Sequence, residues 1–442
     1  MKNKSIRLIA FMAAFVLVLV LANTFFIQMD SVTAITMHEL KSRSDIELAL
    51  VGSSIVQYHF DPAIIEARTG LETFSVAFNN IALQGSAAVT KELFRTNSPQ
   101  WVVLGLDHYT IRTAKEDTKA EYRIMPLLTD WRTKLDYYLS LCREDGAYID
   151  RFFIFREFGV TSPSDVIKNI ALRVDPKKAF DRLKEAIGPD FLYMGDGYLR
   201  SLATTTGENA IRTKAIRYET PGYDYSLLPP VERLLLEYKA LCEKHGAKLM
   251  IVVPPNHTAN MLFEAEALPY LESLARFCED NGIPYFNFTY ARPELLVRMD
   301  PYFFDMYHFG GEGADLFSEA FSRVFNMYLA GEDTGSLFYE NASQYMQTVD
   351  FITNVWFTLD EQTHTFTADC NRGPDVTAEY RYTLLGEDGA EELLRDYDED
   401  RTFTFDVPQG RSLRVYARVK GDGHGESVHY DYPSDYAVHF GD

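Results

Sequence analysis

Residues 47–54 read Glu-Leu-Ala-Leu-Val-Gly-Ser-Ser. A short, continuously apolar run stopped by a glycine and two serines reads as a parallel strand covered on both faces and closed by a tight turn. Runs of similar texture recur as FSVAFN (74–79), WVVLGLD (101–107), KLMIVVPP (248–255) and PYFNF (284–288). Between them lie stretches of helical period, DPAIIEA (61–67), SAAVTKELFRT (86–96), PPVERLLLEYKALCEKHG (229–246) and LPYLESLARFCEDNG (268–282), with a last helix expected from about 311 to 329. Strand–helix alternation of this kind predicts a doubly wound, flavodoxin-like α/β sheet, whose sites form at the carboxyl ends of the strands.

Two segments break the alternation. Residues 110–227 contain helical patterns such as WRTKLDYYLSLC and AFDRLKEAIG but no core strand, so the stretch reads as a helical insertion that covers the active-site edge of the sheet. From 336 to 442 the texture changes to short aromatic-rich β patterns separated by turn signals, which predicts a small antiparallel sandwich.

The amino terminus carries a third signal. No residue from Leu8 to Met29 is charged, and Lys2, Lys4 and Arg7 stand just before this run. About twenty apolar residues cross a bilayer core of roughly 30 Å, and flanking cations keep their end cytoplasmic. Residues 1–30 therefore read as a transmembrane signal anchor. A cleaved signal peptide cut near Ala22 is the competing reading, disfavoured because the apolar run continues through Phe25, Phe26 and Ile27. Both readings export the chain, with residues 31–45 as a short polar stalk.

A formal net charge of −21 over 442 residues excludes nucleic acid as a partner, since polyanion binding needs Lys and Arg to neutralise phosphates. Of the four cysteines, Cys142, Cys242, Cys278 and Cys370, none lies in a CxxC pair, so a Cys₄ zinc site is not expected. Asp398-Glu399-Asp400 lacks the ligand spacing of a calcium loop and reads as a solvated turn. No metal and no cofactor is expected.

The chemistry gathers at strand ends. Gly52-Ser53-Ser54 closes the first strand, where a serine can project its hydroxyl above the sheet. Asp305-Met306-Tyr307-His308 lets one loop hold both side chains close: the carboxylate accepts the Nδ1 proton of His308 and leaves Nε2 to take a proton from a serine. Attack on an ester carbonyl also needs donors aimed at the developing oxyanion. Backbone N–H groups at Ser54 and Gly85, with Asn79 or Asn80 nearby, are the expected ones, and Gly105 and Asp107 end the third strand on the same side. His59 reads as structural at a helix start rather than substrate-facing. Asn256 and His257, after the fourth strand, stay open between substrate-facing and loop residues.

Taken together, GSSIVQYHFDP, the FNN…QGS segment and FDMYHFGGEGADLFS resemble the SGNH/GDSL hydrolase superfamily over residues 46–332. The similarity is nearest to its membrane-anchored cell-envelope members, the D-alanyl transfer proteins of teichoic-acid systems and the proteins of alginate and peptidoglycan O-acetylation. The resemblance implies Ser54 as nucleophile, His308 as general base, Asp305 as its orienting partner and Gly85 as an oxyanion glycine. It also implies work beside a membrane-bound O-acyltransferase, with a cell-envelope glycan or teichoic acid as acceptor. Two positions depart from the pattern: Ser53 replaces the usual Asp, and Asp107 stands where an oxyanion Asn is expected, with a charge that opposes an oxyanion. The expectation is an extracytoplasmic, single-pass membrane acyltransferase or esterase. The alternative is a non-catalytic envelope scaffold or glycan-binding protein, resting on Trp356, Phe357, Tyr380, Tyr382 and Tyr416 of the C-terminal region.

Overall fold

The computed structural model describes residues 2–26, 31–115, 123–145, 162–174, 181, 187–205, 222–257, 260–261, 264, 267–298, 300–348, 352–373, 376–386, 389–421 and 428–433. Its centre is a five-stranded parallel sheet of β1 (Leu48–Gly52), β2 (Thr73–Ala77), β3 (Trp101–Gly105), β6 (Lys248–Val253) and β7 (Tyr285–Asn287), in the order β2-β1-β3-β6-β7. The chain starts at β1, moves out to β2 and returns to β3 on the other side, so the order reverses beside β1. In open α/β sheets ligands bind at this crevice, beyond the carboxyl ends of the strands.

Because side chains alternate across a strand, each strand feeds two cores. Ala49, Val51, Val102, Leu104, Ile251 and Val253 point to one face. There they meet α5 (Leu83–Leu93), α9 (Pro229–Lys244) and α10 (Leu268–Asp280). Leu48, Leu50, Val103, Met250 and Val252 point to the other, against α3 (Ser54–His59), α4 (Pro62–Thr69) and α11 (Gly311–Ala330). Full burial of each such aliphatic side chain contributes roughly 1.5–3 kcal/mol, which explains why these strands show no polar alternation.

Between β3 and α9 the expected helical insertion is only partly helical. Its described part holds α6 (His108–Ile111), α7 (Trp131–Asp145) and α8 (Pro163–Val174), but also an antiparallel hairpin of β4 (Phe191–Gly195) and β5 (Tyr198–Ser201). Most of the AFDRLKEAIG pattern at 179–188 lies outside the described residues. Asp196 and Gly197 turn the hairpin with φ of 48° and 79°, the left-handed pair that suits a two-residue β-turn. The hairpin ties three elements together. The carbonyl of Asp196 accepts from Ser75 N at 2.8 Å, Tyr198 is buried in the core, and Arg200 grips Asp315 of α11 at 2.5 and 2.8 Å.

The amino-terminal expectations need correction. Residues Lys2–Phe25 form α1, but among the described residues no helix is long and apolar enough to cross a membrane. Lys4 and Arg7 occupy its first turns, so its uncharged apolar part is shorter than the roughly 20 residues that a bilayer core needs. Nor is the following segment a stalk. Ser31–Ser42 is the helix α2, with Ala34, Ile35, Met37 and Leu40 buried against the α/β body. Polar residues between these apolar ones hid the amphipathic spacing.

Beyond α12 (Ala342–Thr348) come two antiparallel sheets, β11-β10-β13-β14 and β12-β9-β8. They comprise β8 (Ile352–Asp360), β9 (Thr365–Arg372), β10 (Ala378–Leu385), β11 (Glu391–Asp398), β12 (Thr402–Thr404), β13 (Ser412–Val419) and β14 (Val428–Pro433). Val355, Phe357, Phe366 and Ala368 of one sheet share a buried cluster with Tyr380, Tyr382, Leu413 and Val415 of the other. Asp398 and Asp400 cap the backbone of the turn between β11 and β12, and Glu399 pairs with Lys420.

Candidate active site

The first strand ends under α3. Gly52 and Gly105 are register partners, and Val56 of α3 packs on both. A Cβ on Gly105 would lie 2.1 Å from Val56 Cγ2. One on Gly52 would lie 2.4 Å from the same atom and 2.7 Å from the Gly105 carbonyl oxygen. The two glycines thus let α3 start directly on the strand ends, with Ser54 as its first residue.

Ser54 meets the loop that precedes α11. His308 Nε2 lies 2.8 Å from Ser54 Oγ, and His308 Nδ1 lies 2.9 Å from both carboxylate oxygens of Asp305. An ionised carboxylate only accepts, so Nδ1 carries the imidazole proton, Nε2 is the acceptor, and the Ser54 hydroxyl donates to it. Asp305 Oδ1 also accepts from the backbone N–H groups of Tyr307 and His308, at 2.7 and 2.8 Å. Burial works to raise the Asp305 pKa, but the hydrogen bonds from the His308 ring and from the Tyr307 and His308 backbone, with the His308 charge whenever the ring is protonated, outweigh it and hold the carboxyl below its ordinary 3.8.

Aromatic side chains hold the imidazole. Phe304 lies parallel to it at 5.3 Å, and Tyr58 meets it edge-on at 5.2 Å. Behind it His59 is fully buried, and its Nε2 accepts from Phe309 N at 3.1 Å. Burial, with the neighbouring His308, drives the His59 pKa well below the usual imidazole range. His59 is therefore a neutral support for the His308 loop; it stands at the end of α3, not at the helix start expected from the sequence.

Ser54 and His308 open on a cleft of about 370 Å³ that is also lined by Asn80, Asp107, Tyr109, Lys115, Asn256 and Tyr307, among others. Several expected residues lie elsewhere. Gly85 is buried inside α5, and the loop meets the cleft at Asn80, Ile81 and Ala82 instead. Asn80 adopts φ 63°, a left-handed conformation that asparagine tolerates. Asn79 is not among the lining residues, and its backbone carbonyl accepts from Arg123 at 2.9 Å. Gly105 is covered by Val56. His257 is fully buried with its ring edge-on to Phe303 at 4.9 Å, while its neighbour Asn256 reaches the cleft.

Asp107 proves to be a helix cap. Its Oδ1 accepts from Thr110 N at 2.7 Å and Thr110 Oγ1 at 2.6 Å, starting α6. That oxygen is engaged with Thr110, and the residue as a whole lines the cleft. The sequence reading missed Tyr109, Lys115 and Tyr307. Tyr307 stood in plain view between Asp305 and His308, and Tyr109 four residues past the end of β3; nothing in the spacing marked Lys115.

Among the described residues no group of His, Cys, Asp and Glu is arranged to hold a metal ion. The four cysteines are free and buried, and burial pushes the Cys242 and Cys278 thiols up to about 12.

No protein-family model and no curated protein matches the sequence. Solved structures that the chain matches include a protein described as lipolytic, of the G-D-S-L family, from Desulfitobacterium hafniense DCB-2. It is 9% identical with a TM-score of 0.29, and the match covers 63% of this chain and 98% of that one. Another, described as an acylhydrolase from Bacteroides fragilis NCTC 9343, is 10% identical with a TM-score of 0.30, covering 65% of this chain and 89% of that one. Likeness at this level assigns no residue, and the chemistry rests on the site's own geometry.

Proposed function

We infer that the protein is a serine-dependent acyl-transfer enzyme, an esterase or O-acyltransferase that works through an acyl-Ser54 intermediate. The observation that carries this reading is the continuous hydrogen-bonded chain from Ser54 Oγ through His308 to Asp305. As Ser54 Oγ attacks an ester carbonyl, its proton passes to His308 Nε2, and Asp305 stabilises the imidazolium that forms. When the tetrahedral intermediate collapses, the same proton goes to the leaving alkoxide. Water or an acceptor hydroxyl then gives its proton to His308 and takes the acyl group from Ser54, whose oxygen leaves with that proton returned from His308 Nε2.

The oxyanion needs donors: of the family-like positions, Gly85 and Asn79 lie off the cleft, whereas Asn80 and Asp107 line it, Asp107 as an acceptor from Thr110. The Ser54 backbone N–H and the Asn256 side-chain amide take that part in this reading, because both residues line the cleft beside the nucleophile. Asn256 rises from the end of β6, one strand beyond β3, and so replaces a donor that Asp107 cannot supply.

The acceptor is a hydroxyl of a cell-envelope glycan or teichoic acid, with a membrane-bound O-acyltransferase as the partner that delivers the acyl group. The resemblance of the GSSIVQYHFDP and FDMYHFGGEGADLFS segments supports this choice. An extracytoplasmic place at the membrane draws support from α1, whose Ile6, Leu8, Ile9 and Phe11 are exposed on successive sides of the helix. The aromatic residues of the C-terminal sheets offer little to a binding-only role, since Phe357, Tyr380 and Tyr382 are buried in their core.

A fluorophosphonate probe tests the nucleophile directly. It should label the native protein at Ser54, shown by peptide mass analysis, and should leave Ser54→Ala unlabelled. A folded protein that takes up no probe, or takes it elsewhere, would overturn the reading.

A further inference from the structure

Next to the nucleophile stands a second hydrogen-bonded chain that the acyl-transfer steps do not use. It begins at α6, immediately after β3. His108 turns inward and is 1% exposed, whereas Tyr109 turns out to the cleft and is 40% exposed. Both reach Glu264: His108 Nε2 lies 2.9 Å from Glu264 Oε2, and the Tyr109 hydroxyl donates to the same carboxylate at 2.6 and 2.7 Å. The rings of His108 and Tyr109 are 3.9 Å apart. Tyr109 then meets Tyr307 across the cleft wall, with ring centroids 5.9 Å apart at 68° and hydroxyl oxygens 3.4 Å apart.

This geometry fixes what Tyr109 can offer. A phenol has one proton, and that proton is committed to Glu264. The oxygen left facing the cleft has only lone pairs to give, so a ligand group that meets it must donate. The exposed ring supplies an apolar face beside it. Burial and the Glu264 carboxylate push the Tyr109 hydroxyl far above the phenol range, so it remains neutral. Glu264 itself stays ionised: burial acts to raise its pKa, but its bonds from His108 and Tyr109 bring it below the ordinary carboxylate value. The charged groups around the wall are Lys115 and Arg112 against Asp107 and Glu264, which balance and give no preference for an anion.

We propose that Tyr109 and Tyr307, with Glu264 and His108 as positioning residues, form the acceptor subsite, and that it takes an uncharged sugar ring. A pyranose offers both things the wall requires, a C–H face to lie against the tyrosine rings and hydroxyl donors at its edge. Tyr307 sits between Asp305 and His308, so a sugar held there has a hydroxyl next to the base that must deprotonate it. A polyol phosphate chain offers no ring face and brings a charge toward Glu264. The proposal deepens the acyl-transfer reading and rests on it for the purpose of the subsite, though not for the binding itself.

Binding is therefore measured without turnover. In the Ser54→Ala protein, titration calorimetry or ligand-observed NMR with cellotetraose and chitotetraose should detect binding of at least one. Tyr109→Ala should weaken it at least tenfold and Tyr109→Phe about threefold to fivefold. Glu264→Gln should weaken it as well, because the phenol loses its fixed direction. A glycerol phosphate oligomer should not compete. Tyr109 lies at the surface, and an unaltered circular dichroism melt would show that each variant keeps its fold. Failure of both saccharides to bind, equal binding in Tyr109→Ala, or tighter binding of the glycerol phosphate oligomer would each overturn the subsite. Labelling of Ser54 by fluorophosphonate is judged separately, so loss of the subsite and loss of the nucleophile reading remain distinguishable.

Discussion

At the scale of single residues, the site works by removing choices. Asp305 takes the Nδ1 proton of His308 and two backbone N–H groups, so the imidazole has one tautomer and one orientation. Asp305→Asn can still bond the ring, but an amide can donate to Nδ1 and leave the proton on Nε2, facing the serine. The expected loss in ester turnover is roughly 10³–10⁴-fold with the fold retained, read from p-nitrophenyl acetate hydrolysis. A loss below tenfold would remove Asp305 from the mechanism. The same carboxyl makes a pH prediction. Its folded pKa lies below the ordinary 3.8, so its stabilising part is complete above that value and is lost as the pH falls through the lowered one. The stability gap between the native chain and Asp305→Asn in urea should hold at pH 6 and narrow between about pH 4 and 3. A gap that stays constant down to pH 3 would contradict the lowered pKa. Asn256 makes a separate case. Asn256→Ala should cut kcat by about 10²–10³-fold with little change in KM, the size expected for one lost oxyanion donor. An unchanged kcat would return that role to backbone groups alone.

At the scale of elements, the junction of β1, β3 and α3 decides whether Ser54 is placed at all. Gly105→Ala would collide with Val56 Cγ2, the end of a side chain, whereas Gly52→Ala would also collide with the Gly105 carbonyl, which is backbone. The two variants should differ in how they are rescued. Val56→Ala should restore probe labelling and thermal stability to Gly105→Ala but not to Gly52→Ala; equal rescue of both would show that the backbone contact does not matter. This junction was legible in the sequence because Gly-Ser-Ser and Gly-Leu-Asp follow runs of buried apolar residues, a pattern that strand ends impose. The hairpin at 191–201 was not read, although Asp196-Gly197 is a turn signal, because its strands alternate too briefly to stand out in a stretch of helical pattern. Gly85 and His257 misled for another reason. Sequence order places a residue near a strand end but does not say which side of the following turn it faces, and Asn80 and Asn256 took the cleft positions instead.

At the scale of the whole molecule, the two strand textures correspond to separate cores. Among the described residues, the cluster between the C-terminal sheets shares no residue with those flanking the parallel sheet. Val415 is fully buried in the former, and Val415→Ala should cost about 1–3 kcal/mol there without lowering the temperature at which Ser54 loses probe reactivity. The far end of the chain poses a different problem. Apolar periodicity could be read at α1, but whether its apolar length suffices depends on where the helix stops, and that boundary is what a sequence states least well. Past Arg7 the helix is uncharged, and a stretch with apolar groups exposed on successive sides is expected to seek an apolar surface. With a net charge of −21, the body should give anionic lipid no advantage over neutral lipid. The full chain should therefore float with phosphatidylcholine vesicles in a density gradient as readily as with vesicles containing phosphatidylglycerol. A chain beginning at Ser31 should stay at the bottom of the gradient while labelling at Ser54 at the same rate. If the full chain also stays at the bottom, the membrane placement fails, and the acyl-transfer site must then meet its acceptor in solution.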